Sequence, residues 1–75
     1  MEPEHFSQLL QKQNHSCAIC KTTTPGGKGT FHVDHCHATG AVRGLLCMAC
    51  NIGIGKLKDS PELLDAAASY LRNTQ

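Results

Sequence analysis

CAICKTTTPGGKGTFHVDHCHATGAVRGLLCMAC, residues 17–50, is the stretch of sequence that decides the fold. It begins and ends with the same motif of two cysteines separated by two residues, Cys17 with Cys20 and Cys47 with Cys50. Each such turn aims two sulfurs at one point, so the two turns together complete a tetrahedral Zn²⁺ shell. The spacing therefore predicts one structural zinc, because four thiolates leave no position for a catalytic water. Buried free thiols or disulfides are the alternative.

The chain has 75 residues, of which 40% are hydrophobic and 17% are charged. This predicts one zinc-braced domain over residues 1–75, since chains below about 70–80 residues usually need a metal, disulfides or a partner for stability. No run approaches the ~20 apolar residues of a membrane span, and the start has no signal-peptide pattern. We therefore expect a cytoplasmic protein that makes no contact with a membrane. The formal net charge of +1 by itself does not indicate nucleic-acid binding.

Hydrophobic periodicity predicts an α+β fold, a β-hairpin and a short helix flanked by N- and C-terminal helices. The predicted elements are helix 4–13, strands 30–34 and 41–46, helix 48–54 and helix 61–72. Ser60 is a suitable N-cap for the last helix, with Pro61 at its first position. We expect the apolar stripe of that helix to pack on the hairpin or on the N-terminal helix.

A dense group of polar residues, HVDHCH at residues 32–37, lies between the two cysteine motifs. By itself this group has three interpretations: a second metal site, a general-base cluster, or the solvated face of a hairpin. Asn51 favours a catalytic site, because the second cysteine motif ties the start of a helix to the hairpin and could bring Asn51 beside Asp34. In a regular strand Asp34 and His35 would point to opposite faces, so we expect the strand to end at His35.

These residues resemble the phage recombination endonuclease VII family within the His-Asn-His, or ββα-metal, nucleases. The similarity covers residues 17–55 and is most specific in VRGLLCMACN at residues 42–51. It implies a hairpin-plus-helix nuclease centre braced by structural zinc. It also implies that Asp34 and Asn51 bind one catalytic Mg²⁺ or Mn²⁺ and that His35 is the general base.

The chemistry of phosphodiester hydrolysis is consistent with this residue set, because it requires a base near neutral pH and a cation on the phosphate and leaving group. We expect His35 to take a proton from water, and His37 to hydrogen-bond the phosphate or hold the loop. Arg43 on the second strand is expected to bind phosphate through a bidentate contact. Two positions depart from the family, since Cys36 and Ile54 stand where relatives carry acidic residues. We expect Cys36 to behave as a small buried hydrophobic residue.

The sequence therefore predicts a metal-dependent DNA endonuclease of a phage or prophage that nicks DNA with weak sequence selectivity. One alternative is a resolvase of Holliday junctions or other branched DNA. A second alternative is a zinc-binding module that binds nucleic acid or protein without cleaving it. DNA is the expected partner, and cutting both strands would need either paired nicks or a homodimer.

Overall fold

The computed structural model describes residues 2–27 and 29–73, and it has the predicted α+β architecture. In chain order the elements are α1 Pro3–Lys12, β1 His32–His35, β2 Val42–Leu46, α2 Met48–Lys56 and α3 Pro61–Asn73. The observed boundaries lie within two residues of the predicted ones. The first strand begins later than predicted because Phe31 lies in the core just before it. No helix among the described residues is long and apolar enough to span a membrane.

The hairpin is an antiparallel pair of strands with a bulge at the residues of the predicted site. Asp34 pairs with Gly44, but His35 pairs with Val42, so Arg43 is an extra residue on β2. A bulge bends its strand and re-aims the side chains beside it, which explains how Arg43 reaches Asp34 across the hairpin. The strand β1 ends at His35, as expected.

The core is small and lies where β2 meets the cysteine motifs. α1 covers it with Phe6, Leu9 and Leu10, and α2 contributes Ile54. The buried apolar side chains of the described core are Cys17, Phe31, Leu45, Leu46 and Cys47. A core of this size leaves a domain only marginally stable, so a further source of stability is needed.

Gln13, directly after α1, joins that helix to β2. Its side-chain Oε1 accepts a hydrogen bond from the backbone N–H of Leu45 at 3.0 Å, and its Nε2 donates to the Leu45 carbonyl at 2.9 Å. Nε2 also donates to the Ser16 carbonyl at 2.9 Å. The Gln13 amide thus pairs with both the N–H and the carbonyl of Leu45, as the backbone of a neighbouring strand would. It also holds the C-terminal end of α1 against the edge of the hairpin.

Replacing Gln13 by alanine is expected to lower the free energy of unfolding by about 1–3 kcal/mol, because the backbone N–H of the fully buried Leu45 loses its partner. Denaturant unfolding of the zinc-loaded protein measures this change. Gln11→Ala is the matched control, since Gln11 is exposed on the same helix and the variant should unfold like the wild type. Equal stability of the two variants would contradict the proposed role of Gln13.

The prediction that α3 packs on the hairpin or on α1 is wrong. Every residue of α3 is at least partly exposed, and Leu63 and Tyr70 keep 43% and 67% of their accessible surface. The hairpin's contacts are instead with α1 and α2, which already cover its apolar side chains. The amphipathic pattern of α3 was sufficient to predict a helix but not its packing partner.

Candidate metal and catalytic site

The four cysteines of the two motifs form one cluster. Their sulfur atoms all lie within 4.8 Å of one another, and the Sγ atoms of Cys20 and Cys47 are 3.7 Å apart. In a tetrahedral site with Zn–S bonds of ~2.3 Å, neighbouring sulfurs lie about 3.8 Å apart. The cluster therefore fits a structural Zn²⁺, as the spacing predicted, and none of its four cysteines forms a disulfide.

Backbone N–H groups hold the cysteine turns in the same way. The N–H of Ile19 donates to Cys17 Sγ, and the N–H of Cys50 donates to Cys47 Sγ, each at 3.4 Å. Cys47 is also the N-cap of α2, so the second turn sets the start of that helix. The zinc cluster thereby connects the segment after α1 with the end of β2 and with α2.

The cysteines differ in how readily they ionise. Burial of the Cys17 thiol opposes its ionisation, but hydrogen bonds from the backbone of Cys47, Cys20 and Ile19 lower its pKa to about 6. Burial raises the pKa of Cys50 to about 12, together with hydrogen bonds to the neighbouring cysteines. One thiolate is therefore favoured by the fold itself, whereas complete ionisation of the cluster needs the positive charge of a bound ion.

The polar residues 32–37 lie at the end of β1 and in the following turn. Asp34 is mostly covered, with 13% of its side chain exposed, whereas His35 is exposed at the last position of the strand. The side chain of His37 is 80% exposed, and its Nδ1 lies 3.2 Å from Oδ2 of Asp59. The structure thus leaves His35 accessible to solvent and joins His37 to the turn between α2 and α3.

Arg43 contacts two carboxylates. Its Nε lies 2.7 Å from Oδ2 of Asp34, and its Nη2 lies 2.9 Å from Oδ1 of the same residue. Nη2 also lies 3.2 Å from Oδ2 of Asp59. The hydrogen bonds to Asp34, followed by those to Asp59, raise the pKa of Arg43 above its ordinary value, so the guanidinium is always charged. Arg43 thus makes with Asp34 the bidentate contact that was predicted for phosphate.

A hard divalent cation would find oxygen donors on two elements that touch. α2, which carries Asn51 in its first turn, packs against both strands of the hairpin. His32 shares a strand face with Asp34, and its buried Nε2 has no hydrogen-bond partner within the described part of the chain. A carboxylate and an amide oxygen suit Mg²⁺ or Mn²⁺, which keep several waters as ligands. The carboxylate of Asp34 and the amide of Asn51 thus offer the kind of oxygen donors that such an ion would take.

The two positions that depart from the family have different surroundings. Cys36 is only half-buried in the hairpin turn, where the sequence predicted a small buried hydrophobic residue. Hydrogen bonds from the side chain and backbone of Thr39 lower the pKa of Cys36, because the tight turn directs these donors at its sulfur. Ile54 packs against the core from α2. Neither residue supplies a carboxylate to the candidate site.

Comparison with known families agrees with this arrangement. The sequence profile of recombination endonuclease VII matches residues 1–73, which include the zinc cluster, the hairpin and α2. The chain belongs to the recombination endonuclease VII family. No solved structure matches it.

Two phage proteins are similar to this member of the recombination endonuclease VII family. The Gene 59 protein of Mycobacterium phage D29 is 41% identical over 70 residues, which cover 92% of this chain and 42% of the phage protein. The Gene 59 protein of Mycobacterium phage L5 is 39% identical over 71 residues, which cover 93% of this chain and 43% of the phage protein. The chain thus spans less than half the length of the curated relatives it matches.

Sequence reasoning missed two residues of this endonuclease VII domain. The role of Asp59 could not be inferred from the sequence, because an acidic residue directly before the N-cap Ser60 is typical of an ordinary turn. Gln13 lies at a helix end, where nothing in the sequence indicates a contact with β2. His32 belongs to the polar group that the sequence singled out at residues 32–37, and its place two positions before Asp34 on a strand puts it on the same face.

Proposed function

We propose that this member of the recombination endonuclease VII family is a metal-dependent DNA endonuclease that nicks one strand at a time. One observation carries the proposal. Asp34 and His35 are adjacent at the bulged end of β1, and α2, which bears Asn51, packs on the same hairpin. A carboxylate for a cation and an exposed histidine beside it are the two groups that phosphodiester hydrolysis needs.

Asp34 and Asn51 are the residues that would hold Mg²⁺ or Mn²⁺. When bound, such an ion supplies positive charge for the scissile phosphate and the departing 3′ oxygen. His35 accepts a proton from a water molecule, and this water attacks phosphorus in line with the departing oxygen. Histidine is suited to this step because it titrates nearest to neutral pH of all side chains. The exposure of His35 leaves room for the water and the DNA strand.

The charged surface supports binding to the DNA backbone rather than reading of bases. Lys21, Lys56 and Arg72 are exposed on three different segments. The short α2 contains two glycines and carries no row of long polar side chains that could read a major groove. Phosphate contacts carry no direct sequence information and weaken steeply with salt, so we propose weak sequence selectivity.

Removing either proposed metal ligand should weaken nicking, and raised Mn²⁺ should restore part of it. We expect Asp34→Ala and Asn51→Ala to convert supercoiled plasmid to open circle slowly at low Mn²⁺ and faster as Mn²⁺ increases. Asp65→Ala is the matched control for Asp34→Ala, because Asp65 is an exposed acid on α3 and its loss changes the net charge equally. Equal loss in the control, or variants that cut at the wild-type rate, would argue against these ligands.

Branched DNA is the second candidate substrate, because the family is named for recombination. Cleavage sites should be mapped on a long duplex and on a four-way junction of the same sequence, across a salt series. Scattered nicks in both substrates are expected, with rates that fall as salt rises. Paired cuts confined to the junction would indicate a resolvase, and a homodimer would then be the expected active form. Binding without any cutting would support the non-catalytic zinc module.

A further inference from the structure

Asp59 is held in a defined position by the end of α2. The N–H of Lys58 donates to the carbonyl of Gly55 at 3.0 Å, and the N–H of Asp59 donates to the carbonyl of Ile54 at 2.8 Å. This pair of bonds is a Schellman-type helix ending, in which a left-handed residue reverses the chain. Lys58 and Asp59 both have positive φ, 60° and 54°. Residues other than glycine rarely adopt this backbone conformation, so the surrounding structure must hold Lys58 and Asp59 in it.

The turn directs the Asp59 carboxylate at the hairpin, where only 13% of its side chain remains exposed. Its Oδ2 contacts Nη2 of Arg43 and Nδ1 of His37, each at 3.2 Å. The same Nη2 atom contacts Asp34. Arg43 is thus shared between a proposed metal ligand and a second carboxylate, in the turn after α2.

This sharing has a consequence for metal binding at Asp34. Both carboxylate oxygens of Asp34 accept hydrogen bonds from Arg43. A divalent ion on Asp34 needs at least one of these oxygens, and it repels the guanidinium beside it. The ion therefore competes with Arg43 for the carboxylate, and withdrawal of Arg43 from Asp34 relieves the repulsion between the two cations. Its Nη2 already contacts Asp59, so the guanidinium can withdraw while it remains paired with a carboxylate.

We propose that Asp59 is a positioning residue that receives Arg43 when Asp34 binds the divalent ion. Arg43 acts as an internal cation that competes with the metal, and Asp59 weakens this competition. This inference rests on the proposed function, because it takes Asp34 to be a metal ligand.

Mn²⁺ binding to zinc-loaded protein without DNA tests the inference independently of cleavage. Free Mn²⁺ is measured by electron paramagnetic resonance, and Asp34→Ala identifies the binding that belongs to this site. Arg43→Gln should bind Mn²⁺ more tightly than the wild type, and Asp59→Asn should bind it more weakly, each by roughly fivefold. Zinc content and circular dichroism of every variant verify the fold.

The double variant distinguishes positioning from other roles. If Asp59 acts through Arg43, the Asp59→Asn change should alter Mn²⁺ affinity less than about twofold in the Arg43→Gln background. The same loss in both backgrounds would make Asp59 a direct ligand or a simple source of negative charge, and would overturn the inference while leaving the proposed function intact. Absence of Mn²⁺ binding at Asp34 in both the wild type and Arg43→Gln would overturn both.

Discussion

Replacing Cys17 by serine is expected to unfold the protein. Structural zinc contributes an apparent ~10–16 kcal/mol to folding in small zinc domains, whereas a core of this size supplies only about 3–5 kcal/mol. Cys17 is completely buried and is one of the four sulfurs of the cluster. Loss of this ligand leaves an open zinc shell and a buried hydroxyl in the core. We expect zinc content to fall and the helical circular dichroism signal to disappear at room temperature.

Cys36→Ser is the matched control for this experiment. Cys36 is the one cysteine of the five that lies outside the cluster of four, in the hairpin turn. The control variant should retain one zinc per chain and its wild-type melting curve. Treatment of the wild type with a strong chelator should give the same unfolded state as Cys17→Ser. If the Cys17→Ser variant or the chelated wild type stayed folded without zinc, the fold would not depend on zinc.

Replacing His35 by alanine is expected to abolish nicking while the fold persists. General-base catalysis by a positioned side chain typically contributes 10²- to 10⁴-fold to a rate, so conversion of supercoiled plasmid should fall by about that factor. The side chain is exposed at the end of β1 and belongs neither to the core nor to the zinc cluster. Zinc content and thermal unfolding should therefore match the wild type.

His5→Ala controls for the general loss of a histidine, since His5 is exposed on α1, away from the hairpin turn. It should nick plasmid at the wild-type rate. A wild-type rate for His35→Ala would show that another group activates the water. The exposed His37 would then be tested next, because it lies two residues further along, in the turn after β1.

The local elements could be predicted because their signals lie within short windows of sequence. Ser60 is the N-cap of α3 as predicted, since its Oγ accepts a hydrogen bond from the N–H of Leu63 at 3.2 Å. The hairpin follows from two extended segments joined by a Thr-Gly turn. The bulge at Arg43 could not be predicted, because it depends on how the two strands align and not on either strand alone.

The sequence by itself determined the cluster of four cysteines, because two paired-cysteine turns aim their sulfurs at one point and suit a single tetrahedral ion. It also determined the order and type of the helices and strands. Only the tertiary structure decided what surrounds the candidate site. Arg43 meets Asp59 across 16 residues of chain, and this contact depends on the bulge in β2 and the left-handed turn after α2. The exposure of α3 was decided in the same way, because an apolar stripe specifies that a helix can pack but not whether a partner surface is still free.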